Sequence, residues 1–342
     1  MFSKLVLFCC GIFLCSNIDA VAVSDGACSV DTISTMGDTC YAVKIDGSLW
    51  SWGAYDDANL GNGTGLRSGE PQQILNDVRS VNGCYAVKKD GSLWGWGSAI
   101  EVKGSLAPVH IMDSVQAVTR ANGYTLYIKD DMSLWGSGCN YEGALGQKEL
   151  SKDNSEAFKI MNNAVEAACG YDHTVVLKTD GSVITFGDNT YGQLGNGTKE
   201  STYRKNHIMD KVKYINAGVS STFAIDDDNN LWRCGTNYGL GYGAGEASDH
   251  RTAPDLYLEG VKDVNSQVGY NLVLLMNGEL WMYGCDEGEE RTYTSGDGTV
   301  LYIDLPVKLM DDVVDISNTT NGISGPVLIL TKEGELYQYD MV

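Results

Sequence analysis

Asp46-Gly47-Ser48-Leu49-Trp50-Ser51-Trp52-Gly53 returns 44 residues later as Asp90-Gly91-Ser92-Leu93-Trp94-Gly95-Trp96-Gly97. Weaker copies centre on Leu134-Trp135, Val183-Ile184, Leu231-Trp232, Leu280-Trp281 and Leu336-Tyr337, which makes seven, spaced 44, 41, 49, 48, 49 and 56 residues apart. All 7 tryptophans of the 342 residues lie inside this phrase. A period of about 40 to 50 residues is that of four-stranded propeller blades. Each copy reads as a hairpin. An apolar stretch such as Tyr41-Ala42-Val43 leads into Asp-Gly, whose residues suit the positive φ of a tight turn. The strand after it alternates, with Trp50 and Trp52 on one face and Leu49 on the other. Packing of these tryptophans between neighbouring blades is the expected role, ahead of a carbohydrate platform.

Further downstream the copies share a Gly- and Asn-rich loop and a short strand bearing Pro. The loop is fullest at Asp188-Asn189-Thr190-Tyr191-Gly192-Gln193-Leu194-Gly195-Asn196-Gly197-Thr198. The strand appears around Pro71, Pro108 and Pro306, where a missing N–H fits an outer edge and not a sheet centre. The order Gly170-Tyr171-Asp172-His173-Thr174, Asp180-Gly181, Phe186-Gly187, Tyr191 to Gly195 resembles one repeat of the regulator-of-chromosome-condensation family. The resemblance covers roughly residues 30–340 and implies an all-β, seven-bladed β-propeller. Departures accompany it. The Gly-x-x-His-Thr element is complete only in the fourth copy, Cys40 and Cys84 stand where its Thr would be, and the second copy lacks the Gly-Gln-Leu-Gly loop. Seven phrases require seven outer strands, yet only six lie between them. The ring is therefore expected to close by pairing near-terminal segments, residues 23–35 against the last blade, which removes free sheet edges.

The N-terminus bears on location. Lys4, an apolar run from Leu5 to Cys15 and the small-x-small pattern Ala20-Val21-Ala22 read as a signal peptide over 1–22, leaving 23–342 as a secreted, monomeric propeller. Eleven apolar residues are too few to span a bilayer, which needs about 20. The balance of 24 basic against 45 acidic residues, a net charge of −21, argues against nucleic acid or an anionic membrane as direct partner. Glycine at 41 residues with only 5 prolines suits many tight turns.

Little in the chain points to covalent chemistry. The four histidines, His110, His173, His207 and His250, show no shared metal-ligand spacing, and no nucleophile elbow or phosphate loop occurs. No cofactor or metal is expected. His173 belongs to the repeat signature, and Asp226-Asp227-Asp228-Asn229-Asn230 reads as a solvated hairpin turn. The candidate recognition residues are the loop tyrosines Tyr55, Tyr141, Tyr191 and Tyr238, placed at the end opposite the Asp-Gly turns. The segment from Asp286 to Asp304 joins them, carrying Asp286, Glu287, Glu289 and Glu290 and a net −5 over 19 residues. Such a loop would draw a basic patch on a protein partner. Seven cysteines remain after residue 22, and Cys40 and Cys84, at equivalent positions, invite comparison of a disulfide with two buried thiols. Asn62, Asn196 and Asn318 head glycosylation sequons, two of them inside the Gly-Asn-Gly-Thr loop.

The expectation is a secreted, non-enzymatic binding propeller. Two other readings stand beside it: an inhibitor of a secreted or cell-wall enzyme, and the founding activity that the family resemblance implies, guanine-nucleotide exchange on a nuclear small GTPase. The signal peptide and the acidic charge weigh against the last.

Overall fold

A computed structural model describes residues 3–5, 30–53, 58–121, 123–148, 153–236, 251–267, 270–284, 292–294, 300–302, 307–319 and 327–339. The chain is all-β, with seven blades arranged as a β-propeller. Blade 1 runs Val30–Met36, Thr39–Lys44, Leu49–Gly53 and Ser68–Leu75, from inner to outer strand. Blade 2 follows with Val78–Asn82, Tyr85–Lys88, Leu93–Gly97 and Ser105–Met112, and blade 3 with Val115–Arg120, Tyr124–Lys129, Leu134–Cys139 and Asp153–Met161. Blade 4 contains Ala164–Cys169, His173–Lys178, Val183–Gly187 and Thr202–Met209; blade 5 contains Val212–Ala217, Ser221–Asp226, Leu231–Gly235 and Arg251–Leu258. Blade 6 joins Val261–Gln267, Tyr270–Leu275, Leu280–Gly284 and Val307–Met310, and blade 7 has Val313–Ile316, Val327–Thr331 and Leu336–Tyr339. No helix among the described residues is long and apolar enough to cross a membrane.

Turn chemistry sets this pattern. Each Asp-Gly-Ser turn is an Asx turn: the Asp46 carboxylate accepts the Ser48 N–H at 2.8 Å and its hydroxyl at 2.6 Å, and Asp90 with Ser92 and Asp180 with Ser182 repeat it. The Ser48 and Ser92 hydroxyls in turn accept the indole N–H of Trp50 and Trp94. In blade 5 the Asp226 carboxylate takes the Asn230 N–H at 2.8 Å and the Trp232 indole at 2.9 Å, so that acidic run is a hairpin turn. Between blades, six links of two residues join outer strand to next inner strand, and each is laced to the hairpin turns on both sides. Val212 N donates to Gly181 O at 3.0 Å and Asp227 N to Lys211 O at 2.9 Å, for example. Pro71, Pro108 and Pro254 lie on outer strands, as their missing donors demand; Pro306 lies outside the described residues.

The core sits between blades. Trp52, fully buried, packs with Val30, Ile33, Cys40, Leu328 and Leu336 across the joint of blades 1 and 7, and Trp96 packs with Tyr41 and Val43 across blades 1 and 2. The inter-blade role expected of the tryptophans holds for these two. Trp50, Trp94 and Trp135 are only partly buried, and each sits beneath a lysine ammonium 4.4 to 5.0 Å from its ring centroid.

One expectation needs correction. Residues 30–36 do not supply the outer strand of the last blade: Val30–Met36 turns tightly at Gly37-Asp38 onto Thr39–Lys44 and is consumed as the inner strand of blade 1. The strand that pairs with Leu336–Tyr339 is Ser3–Leu5, with Ser3 opposite Gln338 and Leu5 opposite Leu336. Residues 34 and 35 meet blade 7 only through a short parallel pairing with Asn318–Thr319. Residues 23–29 lie outside the described residues. Of the two readings of Cys40 and Cys84, the structure carries the pair of separate buried thiols and not the bridge. Equivalent positions in successive blades face successive joints, so Cys40 packs toward blade 7 while Cys84 packs between blades 1 and 2.

Candidate functional site

The loop-bearing end of blades 3 to 5 is built on one repeated joint. In blade 4, Thr174 Oγ1 donates to the Ala144 carbonyl of the blade 3 loop at 2.7 Å. In blade 5, Thr222 Oγ1 donates to the Gln193 carbonyl of the blade 4 loop, also at 2.7 Å. His173 Nε2 lies 3.1 Å from Thr222 Oγ1, whose proton is already given to Gln193, so the imidazole N–H is the donor there. Burial holds His173 neutral, lowering its pKa to about 4. Leu145 and Leu194, one residue beyond those carbonyls, are fully buried and seat the loops in the apolar joints. His173 is therefore a structural member of the repeat, as its signature implies.

Rigid seating leaves the loop tips outward. Tyr141 is 52% exposed and Tyr191 36% exposed, and the partly buried Tyr171 lies between them in sequence. Glu142 is exposed beside Tyr141. Asp172 is only half-buried, yet burial and then its neighbours Asp188 and Glu142 raise its pKa to about 6. Burial also acts on Asp188, but hydrogen bonds from the Thr190 hydroxyl and N–H outweigh it and keep that carboxylate low. The result is a tyrosine-and-carboxylate surface over blades 3 and 4. It has the chemistry to receive lysine or arginine side chains. Among the described residues no cluster of His, Cys, Asp and Glu could hold a metal ion.

Of the residues singled out from sequence, Tyr141 and Tyr191 fall on this surface. Tyr55, Tyr238, Asp286, Glu287, Glu289 and Glu290 lie outside the described residues, as does the side chain of Asn318. Asn62 and Asn196 each accept the N–H and hydroxyl of the Thr two residues on, the bonds of a local turn. Sequence reasoning missed Glu142 and Asp172; carboxylates next to loop tyrosines were the available signal.

It also missed what replaces the absent loop of blade 2. There a short turn, Ile100–Val102, inserts Glu101 toward blade 3. Its carboxylate accepts hydroxyls from Tyr85 at 2.9 Å and Ser137 at 2.6 Å, and from Tyr127. The signal was an acidic residue in the connection where the other copies carry a buried leucine.

A family model described as the regulator of chromosome condensation (RCC1) repeat matches residues 165–193, and a second of the same description matches residues 180–225. Guanine nucleotide exchange factor SRM1 of Saccharomyces cerevisiae is 26% identical over 300 residues, covering 78% of this chain and 61% of that protein. The regulator of chromosome condensation of Xenopus laevis is 32% identical over 160 residues, 43% of this chain and 38% of that one. The chain thus spans about half the length of the curated relatives it matches. Among solved structures, Prp20p of Saccharomyces cerevisiae, studied for its binding to Gsp1p and histones, superposes with a TM-score of 0.68 at 15% identity, over 92% of this chain and 83% of that one. Human WBSCR16 superposes with a TM-score of 0.69 at 14% identity, over 92% and 87% of the two chains. At such identities the likeness is one of fold.

Proposed function

We propose that this chain, which belongs to the regulator of chromosome condensation (RCC1) repeat family, binds a protein partner through the loop-bearing end of its propeller and performs no covalent chemistry of its own. The observation that carries the reading is the exposed pair Tyr141 and Tyr191 with Glu142 and Asp172, on loops whose Ala144 and Gln193 carbonyls are bonded to Thr174 and Thr222 of the next blade. Aromatic side chains on a rigid scaffold are effective contact groups. The carboxylates select a partner with a basic patch.

A second reading has support from the relatives. The yeast SRM1 protein is a guanine nucleotide exchange factor by name, so the partner class favoured here is a small GTPase whose bound nucleotide is loosened by contact. The secreted location read from residues 1–22 belongs to the proposal too and favours an extracellular partner instead, but it stands against the pairing of Ser3–Leu5 with the last blade, because a segment removed on secretion could not close the ring.

Capture of partners with the wild-type chain and with a Tyr141→Ala/Glu142→Gln/Tyr191→Ala variant tests the surface. The partner should be lost from the variant; retention at equal affinity would sink the reading. Release of labelled GDP from a captured small GTPase then separates exchange, which accelerates it, from binding alone, which does not.

A further inference from the structure

Six of the seven inner strands carry a β-branched residue at their fourth position: Ile33, Val81, Val118, Ile215, Val264 and Ile316. All six occupy the same register step of the ladder to the second strand, Ile33 opposite Ala42 and Ile215 opposite Ala224, for example. The side chain fills the joint with the preceding blade. Val81 joins Tyr41 and Val43 there, Ile215 joins Val175 and Leu177, Val264 joins Phe223 and Ile225, and Ile316 joins Leu272 and Leu274. Blade 4 departs from the rule. Its fourth residue is Ala167, opposite Val176, and it meets the blade 3 cluster of Leu126 and Ile128 with a single methyl.

The shorter side chain leaves space. A cavity of about 220 Å³ lies at this joint, and Ala167, Leu126 and Ile128 line it together with Ala117, Ala168 and Ile215. Protein interiors are packed to crystal density, so a void of this size is a standing loss of contacts that a ligand would restore. An apolar cavity of about 150 Å³ already holds one benzene ring. This one is larger, and part of its wall is polar, with Thr119, Glu166, Tyr214 and Asn216 on the inner strands of blades 3 to 5. Neither Arg120 nor Glu166, the wall residues that carry charge when ionised near neutral pH, favours an ion there. The Arg120 guanidinium is held among Met36, Cys84 and Ser98, none of which borders the cavity. Burial raises Glu166 to about 8, so its carboxyl is protonated at neutral pH.

We propose that the joint of blades 3 and 4 binds a neutral aromatic molecule of one ring bearing a hydroxyl group, its ring in the space that Ala167 leaves against Leu126 and Ile128 and its hydroxyl on the side of Thr119 and Asn216. A wholly apolar ring would leave the polar wall unmet, and a charged one would be desolvated without a counter-ion. This site is independent of the loop surface and of any protein partner.

Phenol, benzene and benzoate are the probes, with binding to the whole chain read by saturation-transfer NMR and by the shift in melting temperature. Phenol at about ten times its Kd should raise the melting temperature by about 2 °C. Benzene should bind about tenfold more weakly, the worth of one hydrogen bond, and benzoate should not bind. Ala167→Ile writes into blade 4 the residue that blades 1, 5 and 7 carry at this position. It should raise the melting temperature with no ligand present and weaken phenol binding by about tenfold or more. Should isoleucine be too large for the chain to fold, Ala167→Val, the residue of blades 2, 3 and 6, decides by the same two readings. Absence of phenol binding by the wild-type chain at millimolar probe, which means a cavity holding water alone, would overturn the site. So would phenol binding unchanged in a folded variant with the cavity filled, or benzoate bound as tightly as phenol.

Discussion

At the joint of blades 4 and 5 the Gln193 carbonyl receives the Thr222 hydroxyl, with His173 behind it. At the joint of blades 1 and 2 the matching carbonyl, that of Asn59, receives no such hydroxyl because Cys84 holds the position. It takes the Trp96 indole N–H at 2.6 Å and the Tyr41 hydroxyl at 2.6 Å instead. At the next joint the loop is missing altogether, and the Glu101 carboxylate gathers three hydroxyls in its stead. What stays constant is a polar requirement. A backbone or carboxylate acceptor buried between blades must be met, and the donor can come from whichever strand reaches it. The repeat signature is one solution among several that this single chain uses.

The largest expected effect breaks the signature joint outright. A Cβ on Gly170 would overlap the His173 ring and press on the Gly218 carbonyl, so Gly170→Ala forces the imidazole or the next blade to move. We expect a loss of about 3 kcal/mol or more in urea unfolding, the upper range of overpacking costs. Blade 2 has no counterpart to this contact, since its inner hairpin closes through Gly83 and Cys84 alone. A loss below about 1 kcal/mol would mean that the fourth joint is as pliant as the others.

This contrast also shows how much could be read beforehand. The seven hairpins were legible because Asp-Gly-Ser-Leu-Trp packs turn chemistry and alternation into adjacent residues, and the Asx turns at Asp46, Asp90 and Asp180 follow directly from it. Outer strands were legible through Pro71 and Pro108. Substitutes for the signature were not. Glu101 meets residues 16, 26 and 36 positions away, and no local pattern announces a carboxylate that replaces a leucine. Arg120 likewise sits in an ordinary strand, and only the ring brings it to Met36 and Cys84, 84 and 36 residues distant. The closing strand was misplaced for the same reason, because pairing across the whole chain leaves no trace in either segment. Of the recognition surface, the tyrosines were legible as loop residues and the carboxylate grouping was not.

A middle-sized effect separates the regions by pH. Burial raises Glu166 in blade 4 to about 8 and Asp263 in blade 6 to about 7. Carboxyls raised in the folded state contribute stability that is fully present below their unfolded values near 4 and lost as pH rises through 7 and 8. His173 acts in the opposite direction. Lowered to about 4, it contributes stability present above its unfolded value near 6.5 and lost as pH falls below that. In blade 2, burial pushes Cys84 and Tyr85 upward, out of this window. Melting temperature should thus peak in mild acid and fall by roughly 5 °C or more toward pH 8.5. A Glu166→Gln/Asp263→Asn chain should lose most of that alkaline fall. Hydrogen exchange should show the loss of protection in blades 4 and 6 before blade 2. Equal pH dependence in wild type and variant would assign the effect elsewhere.

The smallest effect sharpens the comparison by exchanging the two solutions. Thr174→Cys in blade 4 removes the hydroxyl that meets the buried Ala144 carbonyl, and a thiol is a poorer donor. Leaving that acceptor weakly satisfied should cost about 1 kcal/mol, near the low end for a buried group deprived of its partner. The reverse change, Cys84→Thr, writes the family's residue into blade 2. No benefit should follow, because the Asn59 carbonyl already has two donors and the new hydroxyl would meet Arg120 and Ser98, where the thiol sits now. We expect a change within about 0.5 kcal/mol, measured by urea unfolding under reducing conditions. A gain of 1 kcal/mol or more from Cys84→Thr would mean that Trp96 and Tyr41 are an inferior replacement, and that the signature threonine is the better solution wherever it stands. A neutral result beside a measurable loss from Thr174→Cys would show that each joint has been completed around the residue it holds.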